Sequence, residues 1–331
     1  MRAVGFRANG GAEVLEDLEL PEPVPAGGQV AVRVAFAGVN FAEIQHRRGE
    51  FGAPDGPGGV DVPGLEVAGV VLALGAGVSG LRIGEPVAAY LPDFGGYAEV
   101  VTADARFVRS LRTAAGEADP AEAAGLPCVY PTAFGVLNDA GRLREGEDVL
   151  IHSAAGGVGS AAAQLARELG ASRVYGTVGS SQKTAYAAGL GYDDVFVREG
   201  FAERLTEVTA GRGVDLVLDP VGGPVREQSL TVLQPFGRVV AYGDLGRHEQ
   251  WTTSVRDLWK SNRTVAGFNI GDVARRSPER IGEYLDRALR LLAAGRIRSG
   301  VTRILPLAEA AKAHQLLETG EARGKLLLSF A

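Results

Sequence analysis

Residues 148–169, DVLIHSAAGGVGSAAAQLAREL, pass from a short apolar run through a turn of small residues and glycines into a segment with helical apolar spacing. Strand, tight turn and helix follow one another within 22 positions. Five more short apolar runs follow before residue 270: RVYGTV, DDVFV, VDLVLDPV, RVVAYG and RTVAGFN, most of them separated by helical stretches such as REQSLTVL. A chain that alternates in this way crosses over right-handed and stacks its strands in parallel under two layers of helices. Residues 126–270 are therefore expected to form a doubly wound parallel sheet.

The turn explains its own composition. Ala154, Gly156 and Gly159 occupy the three positions of a G-x-G-x-x-G spacing between strand and helix, the context that a dinucleotide-binding Rossmann unit requires. Gly156 would let the backbone approach a pyrophosphate, and Gly159 would let the helix pack closely on the strand. The unpaired N–H groups of the helix start would face the anion. The alternative is an ordinary tight turn of an α/β domain; six alternating strands favour the dinucleotide. About 20 residues on, an NAD-binding unit carries an acidic residue for the ribose 2′-hydroxyl. Here YGTVGSSQK, 175–183, has none. Ser180, Ser181 and Lys183, one of only four lysines, offer two hydroxyls and a cation to a 2′-phosphate instead. The expected cofactor is NADPH, the competing reading being a solvated helix start rich in capping residues.

The 331 residues are 46% hydrophobic, too many for one small core, which points to two domains. Residues 1–125 read as a β-rich domain, with QVAVRVAFAGV, VAGVVLALGAGV and PVAAYL as short strands broken by glycine and proline. Residues 271–331 hold a long helix, VTRILP, a second helix and the strand GKLLLSF, which is expected to return to the first domain for edge partners. A net charge of −6 argues against nucleic acid or an anionic membrane and for a small-molecule substrate. A single cysteine, Cys128, allows no intrachain disulfide, and no signal peptide or apolar run of spanning length is evident, so a cytoplasmic location is expected.

GVNFAE (38–43), PGLEVAG (63–69), PTAFGVL (131–137), HSAAGGVG (152–159), GTVGSSQK (176–183), DPVGG (219–223) and GKLLL together resemble the medium-chain dehydrogenase/reductases. Within them the likeness is to the zinc-free NADPH:quinone oxidoreductases related to zeta-crystallin. LQPFGRVVAYG and SNRTVAGFNIG also look like the vesicle-membrane-protein branch. The resemblance implies a GroES-like β-rich domain with a Rossmann domain inserted. It implies Asn40 beside the nicotinamide and its ribose and Thr132 against the carboxamide, both as catalytic residues. Ala155, Gly156, Gly157 and Val158 would line the pyrophosphate; Gly179, Ser180 and Lys183 the ribose phosphate; Val221, Gly222, Tyr242 and Gly243 the adenosine and ribose. Phe268, Asn269 and Lys325 match near the nicotinamide end, and Phe41, Gln45, Phe51 and Tyr130 would line the substrate pocket.

Zinc-dependent members of that superfamily place three ligands where this chain has Asn40, Leu65 and Cys128, a set that cannot hold a catalytic zinc. Cys128 then reads as a buried small hydrophobe. The four histidines, 46, 152, 248 and 314, show no ligand spacing, and His152 reads as a core histidine. Hydride transfer without a metal, to a quinone or another conjugated carbonyl, is the first reading of the chemistry. A stand-alone enoyl-thioester reductase is the second, and a redox-inactive NADPH-binding protein the third. Gln45 and Phe51 stand where quinone reductases often carry tyrosines, so a proton would have to come from water, Tyr90, Tyr130 or His46. RTVAGFN, as the last strand of the parallel sheet, carries no proline or charge beyond its first residue and would pair with its symmetry mate in a homodimer.

Overall fold

The computed structural model describes residues 1–54, 56, 58–246 and 251–330, leaving His248 outside them. The chain divides into two compact units, Met1–Pro131 with Gly271–Ala331, and Thr132–Ile270. The first boundary falls inside the short helix Val129–Phe134.

The first unit opens with a small antiparallel pair, Arg2–Gly5 with Glu16–Glu19, and then holds the strands β1 (Gln29–Val39), β2 (Glu66–Leu74), β3 (Pro86–Tyr90), β4 (Val100–Asp104) and β5 (Val108–Ser110). They run antiparallel, β2 between β1 and β3, β5 beyond β3, and β4 also on β1. Val30, Val32, Val67, Val71 and Val87 fill the core, where β-branched side chains suit a pleated surface. Helix α1 (Phe41–Arg47) leaves β1 directly through Asn40.

The second unit holds β6 (Asp148–Ile151), β7 (Arg173–Val178), β8 (Asp194–Val197), β9 (Val214–Asp219), β10 (Leu233–Ala241) and β11 (Thr264–Gly267). All pair in parallel in the order β8-β7-β6-β9-β10-β11, the doubly wound arrangement that the alternation implied. The order reverses at β6, where ligands of such sheets bind beyond the carboxyl ends of the strands. Val149, Leu150 and Ile151 are fully buried, each contributing about 1.5–3 kcal/mol. The helices α2 (Gly157–Glu168) and α3 (Gly223–Thr231) follow β6 and β9.

After residue 270 come α4 (Pro278–Ala293), β12 (Val301–Pro306), α5 (Ala310–Glu318) and β13 (Lys325–Ser329). β13 pairs in parallel with β12 and antiparallel with β1, so the last strand does return to the first sheet.

Candidate functional site

At the end of β6 the chain turns through Ser153 at φ 55 into α2. A Cβ on Gly159 would lie 2.3 Å from the Ser153 carbonyl oxygen and 2.9 Å from Ala154 Cα, so only glycine allows this approach of helix to strand. The helix cap is Gly156, which has no side chain to satisfy the first N–H groups. Ala155 is buried beside it. Tyr192, invisible in the sequence pattern, supports the turn from beneath: its buried hydroxyl donates to the Gly159 carbonyl at 2.8 Å.

Beyond β9 a buried ion pair shapes two loops at once. Asp219 accepts from the N–H groups of Val221 (2.7 Å) and Gly222 (3.1 Å) with one oxygen and from Arg226 Nε (2.7 Å) with the other. Arg226 then donates to the Gly243 carbonyl at 2.9 Å. Gly222 has φ 83, and a Cβ there would meet Asp244 Oδ1 at 2.2 Å. Val221, Gly222, Tyr242 and Gly243 are thereby brought to the carboxyl ends of β9 and β10. Burial drives the Tyr242 phenol well above its ordinary range. Phe268, whose N–H donates to Ala241, lays its ring against Gly135, where a Cβ would fall 2.1 Å from it; Asn269 is exposed.

His152 is a satisfied core residue, as its position suggested. Its Nδ1 lies 2.7 Å from Thr177 Oγ1 and its Nε2 2.8 Å from Ser229 Oγ, and burial lowers it to about 4. At the end of β7, Gly179 is exposed and Ser180 and Lys183 are half-buried. No carboxylate stands between 175 and 183.

In the first unit, Asn40 sits at the head of α1 within a cluster of buried charges. Its amide nitrogen Nδ2 donates to Glu43 Oε1 and Glu66 Oε1, both at 3.1 Å, and its Oδ1 accepts from Lys325 Nζ at 2.6 Å. Lys325 also pairs with Glu66 and donates to the Val39 carbonyl at 3.1 Å. Glu66 Oε2 takes the Cys128 N–H at 2.7 Å, and Glu43 Oε1 takes that of Leu65 at 2.9 Å. Glu43 and Glu66 are wholly inaccessible and Lys325 nearly so. Burial raises Glu43 to about 7 against the pull of Lys325 and Asn40. Lys325, expected near the nicotinamide, thus holds the amide of Asn40. Glu43 and Glu66 were missed although both lie inside quoted motifs; carboxylates embedded in apolar runs were the signal.

The remaining candidates differ in burial and in partners. Tyr130 is buried and donates to the Arg298 carbonyl at 2.7 Å, Tyr90 is buried with its phenol pushed well up by burial, and His46 Nε2 lies 2.7 Å from Asp61. Phe51 is 58% exposed, stacked over His46 with centroids 6.4 Å apart. Gln45 is half-buried and donates to Glu50, and Phe41 carries the Arg48 guanidinium 5.9 Å above its ring. Thr132 is buried in the second unit.

The donor set does not suit zinc. Asn40 has committed its amide, Leu65 offers no donor, and burial followed by the nearby Glu66 pushes the Cys128 thiol well up, against the thiolate a zinc ligand requires. Among the described residues no helix is long and apolar enough to cross a membrane.

The family model described as Zinc-binding dehydrogenase matches residues 157–290, and the Alcohol dehydrogenase GroES-like domain matches 26–113. A mycocerosic acid synthase-like polyketide synthase of Mycobacterium tuberculosis is 33% identical over 327 residues, 98% of this chain but only 15% of its own length. The synaptic vesicle membrane protein VAT-1 homolog of Homo sapiens is 33% identical over 92% of this chain and 80% of its own. The quinone oxidoreductase of Escherichia coli, solved in complex with NADPH, superposes with a TM-score of 0.89 at 30% identity over the whole of both chains.

Proposed function

The chain belongs to the medium-chain dehydrogenase/reductase family of pyridine-nucleotide oxidoreductases, and from that premise we propose that it is an NADPH-dependent reductase of quinones or other conjugated carbonyls that works without a metal. The observation that carries this reading is the end of β7, where Gly179, Ser180 and Lys183 stand without a carboxylate. NADPH, when bound, supplies the hydride. The chain's part is to hold and orient. The bare backbone of Ala155, Gly156, Gly157 and Val158 fits a pyrophosphate at the open start of α2. Val221, Gly222, Tyr242 and Gly243 are held by the Asp219–Arg226 pair in a form that suits the adenosine and ribose. Lys325 and Glu66 fix the turn of the Asn40 amide, and Thr132, Phe268 and Asn269 complete the set assigned to the nicotinamide end.

Reduction of a quinone by one hydride also consumes one proton. The Tyr130 hydroxyl is engaged with Arg298, Tyr90 is buried with its phenol pushed well up, Phe51 has no proton to give, and His46 holds Nε2 on Asp61 with Nδ1 shut away from solvent, so the reading takes the proton from water. A second reading, an enoyl-thioester reductase, draws on the match of nearly the whole chain to a segment of polyketide synthases. Supplying NADPH with a quinone panel and separately with a crotonyl thioester distinguishes the two. Oxidation with neither would favour a redox-inactive NADPH-binding protein.

The reading includes a homodimer. β11 is the last strand of its sheet, and no described strand pairs with its outer edge. Val265 and Ala266 are only half-buried there, and a second copy related by a two-fold axis would satisfy both.

A further inference from the structure

Arg198 follows β8, and its backbone N–H donates to the carbonyl of Val178, the last residue of β7, at 2.8 Å. That bond sets it beside the loop that opens with Gly179. A Cβ built on Gly179 would have one neighbour within 4 Å, Arg198 Nη2 at 3.8 Å, so the guanidinium stands over the bare backbone of that loop. Its Nε is shut away from solvent and has no hydrogen-bond partner, and no described carboxylate forms an ion pair with it. The acid it feels most, Asp219, has both oxygens engaged by Arg226 and the Val221 and Gly222 amides. Ser180, next in the loop, makes no capping bond with its hydroxyl.

A half-buried guanidinium with an orphaned N–H costs stability unless an anion completes it. Burial weakens its hold on the proton, the expected sign for a cation lacking its counter-charge. The fork of an arginine also matches a phosphate in a way a lysine does not, offering parallel N–H groups to two oxygens.

We propose that Arg198 is a specificity-determining residue that, with the Ser180 hydroxyl, binds the 2′-phosphate dianion of an adenosine ribose over Gly179, so that the preference for the phosphorylated cofactor rests on two cations from two strand ends and not on Lys183 alone. The inference rests on the NADPH reading above and deepens it, since nothing in the run 175–183 could have pointed to a residue beyond the next strand.

The test uses the intact protein and calorimetric titration with adenosine 2′,5′-bisphosphate and with 5′-AMP, which differ by the 2′-phosphate alone. The wild type is expected to prefer the bisphosphate. Arg198→Met, which keeps the apolar stem, should raise its dissociation constant about 10- to 100-fold and leave that of 5′-AMP unchanged. Arg198→Gln, polar but uncharged, should do the same and serves if the methionine variant folds poorly. Bisphosphate affinity within about twofold of wild type in a folded Arg198 variant would overturn the role of Arg198 while leaving the NADPH reading intact. Equal wild-type affinity for the two ligands would overturn the NADPH reading, and this inference with it.

Discussion

The ammonium of Lys325 donates to Oδ1 of Asn40 at 2.6 Å across 285 residues of sequence, and it thereby fixes which way the Asn40 amide turns. The same ammonium neutralises Glu66, which no solvent reaches.

Replacing Lys325 by methionine leaves the Glu66 carboxylate buried and unpaired, which should cost about 3–5 kcal/mol. Urea denaturation measures it. Adding Glu66→Gln to Lys325→Met should recover most of the loss. A cost under about 1 kcal/mol, the worth of an exposed pair, would mean that the cluster is far wetter than its burial implies.

Glu43 gives the fold a pH dependence of unusual sign. Its folded carboxyl is raised to about 7 from an ordinary 4.5, so between those values the folded state carries more proton than the unfolded chain. Stability from this group is full below the lower value and lost as pH rises through the higher one, by roughly 3 kcal/mol at most. Denaturation midpoints of wild type and Glu43→Gln between pH 5 and 8 should diverge, the variant losing less as pH rises. Parallel pH profiles would show that Glu43 titrates as an ordinary carboxylate.

The loop after β7 carries a separate prediction for Lys183. Loss of a charge-assisted contact to a phosphate costs roughly 1.5–3 kcal/mol of binding. Lys183→Ala should therefore weaken NADPH by that amount and leave NADH nearly unchanged, as read by fluorescence titration. Equal weakening of both cofactors would remove Lys183 from the phosphate site.

The strands and helices around the glycine turn were legible because local periodicity and a glycine spacing encode them directly. Gly159 could be read as the close-packing glycine from its place in the spacing, and the 2.3 Å approach of its absent Cβ to Ser153 agrees. The charge cluster was not legible in the same way. Asn40, Glu43, Glu66, Cys128 and Lys325 meet only when β1, β2 and β13 pair, and the register of those long-range pairings has no local signal. Lys325 was assigned to the nicotinamide end from the family resemblance of GKLLL, and that resemblance carried no signal of its partners Glu66 and the Val39 carbonyl. Arg198 escaped notice for the same reason, one strand removed from the loop it overlooks.

Association through the β11 edge should give a particle of about twice the 34.5 kDa chain mass in light scattering at micromolar concentration. A mass of one chain across the concentration series would leave the edge to be covered in another way.

The central claim is tested most directly by NADPH oxidation, followed through the loss of reduced-nicotinamide absorbance, with a quinone panel before and after exhaustive chelation. The account predicts NADPH consumption with at least one quinone or other conjugated carbonyl added to the panel, a much slower rate with NADH, and no change on chelation. Activity that vanishes with the chelator and returns with zinc, or the absence of oxidation with every quinone and conjugated carbonyl tried, would contradict it.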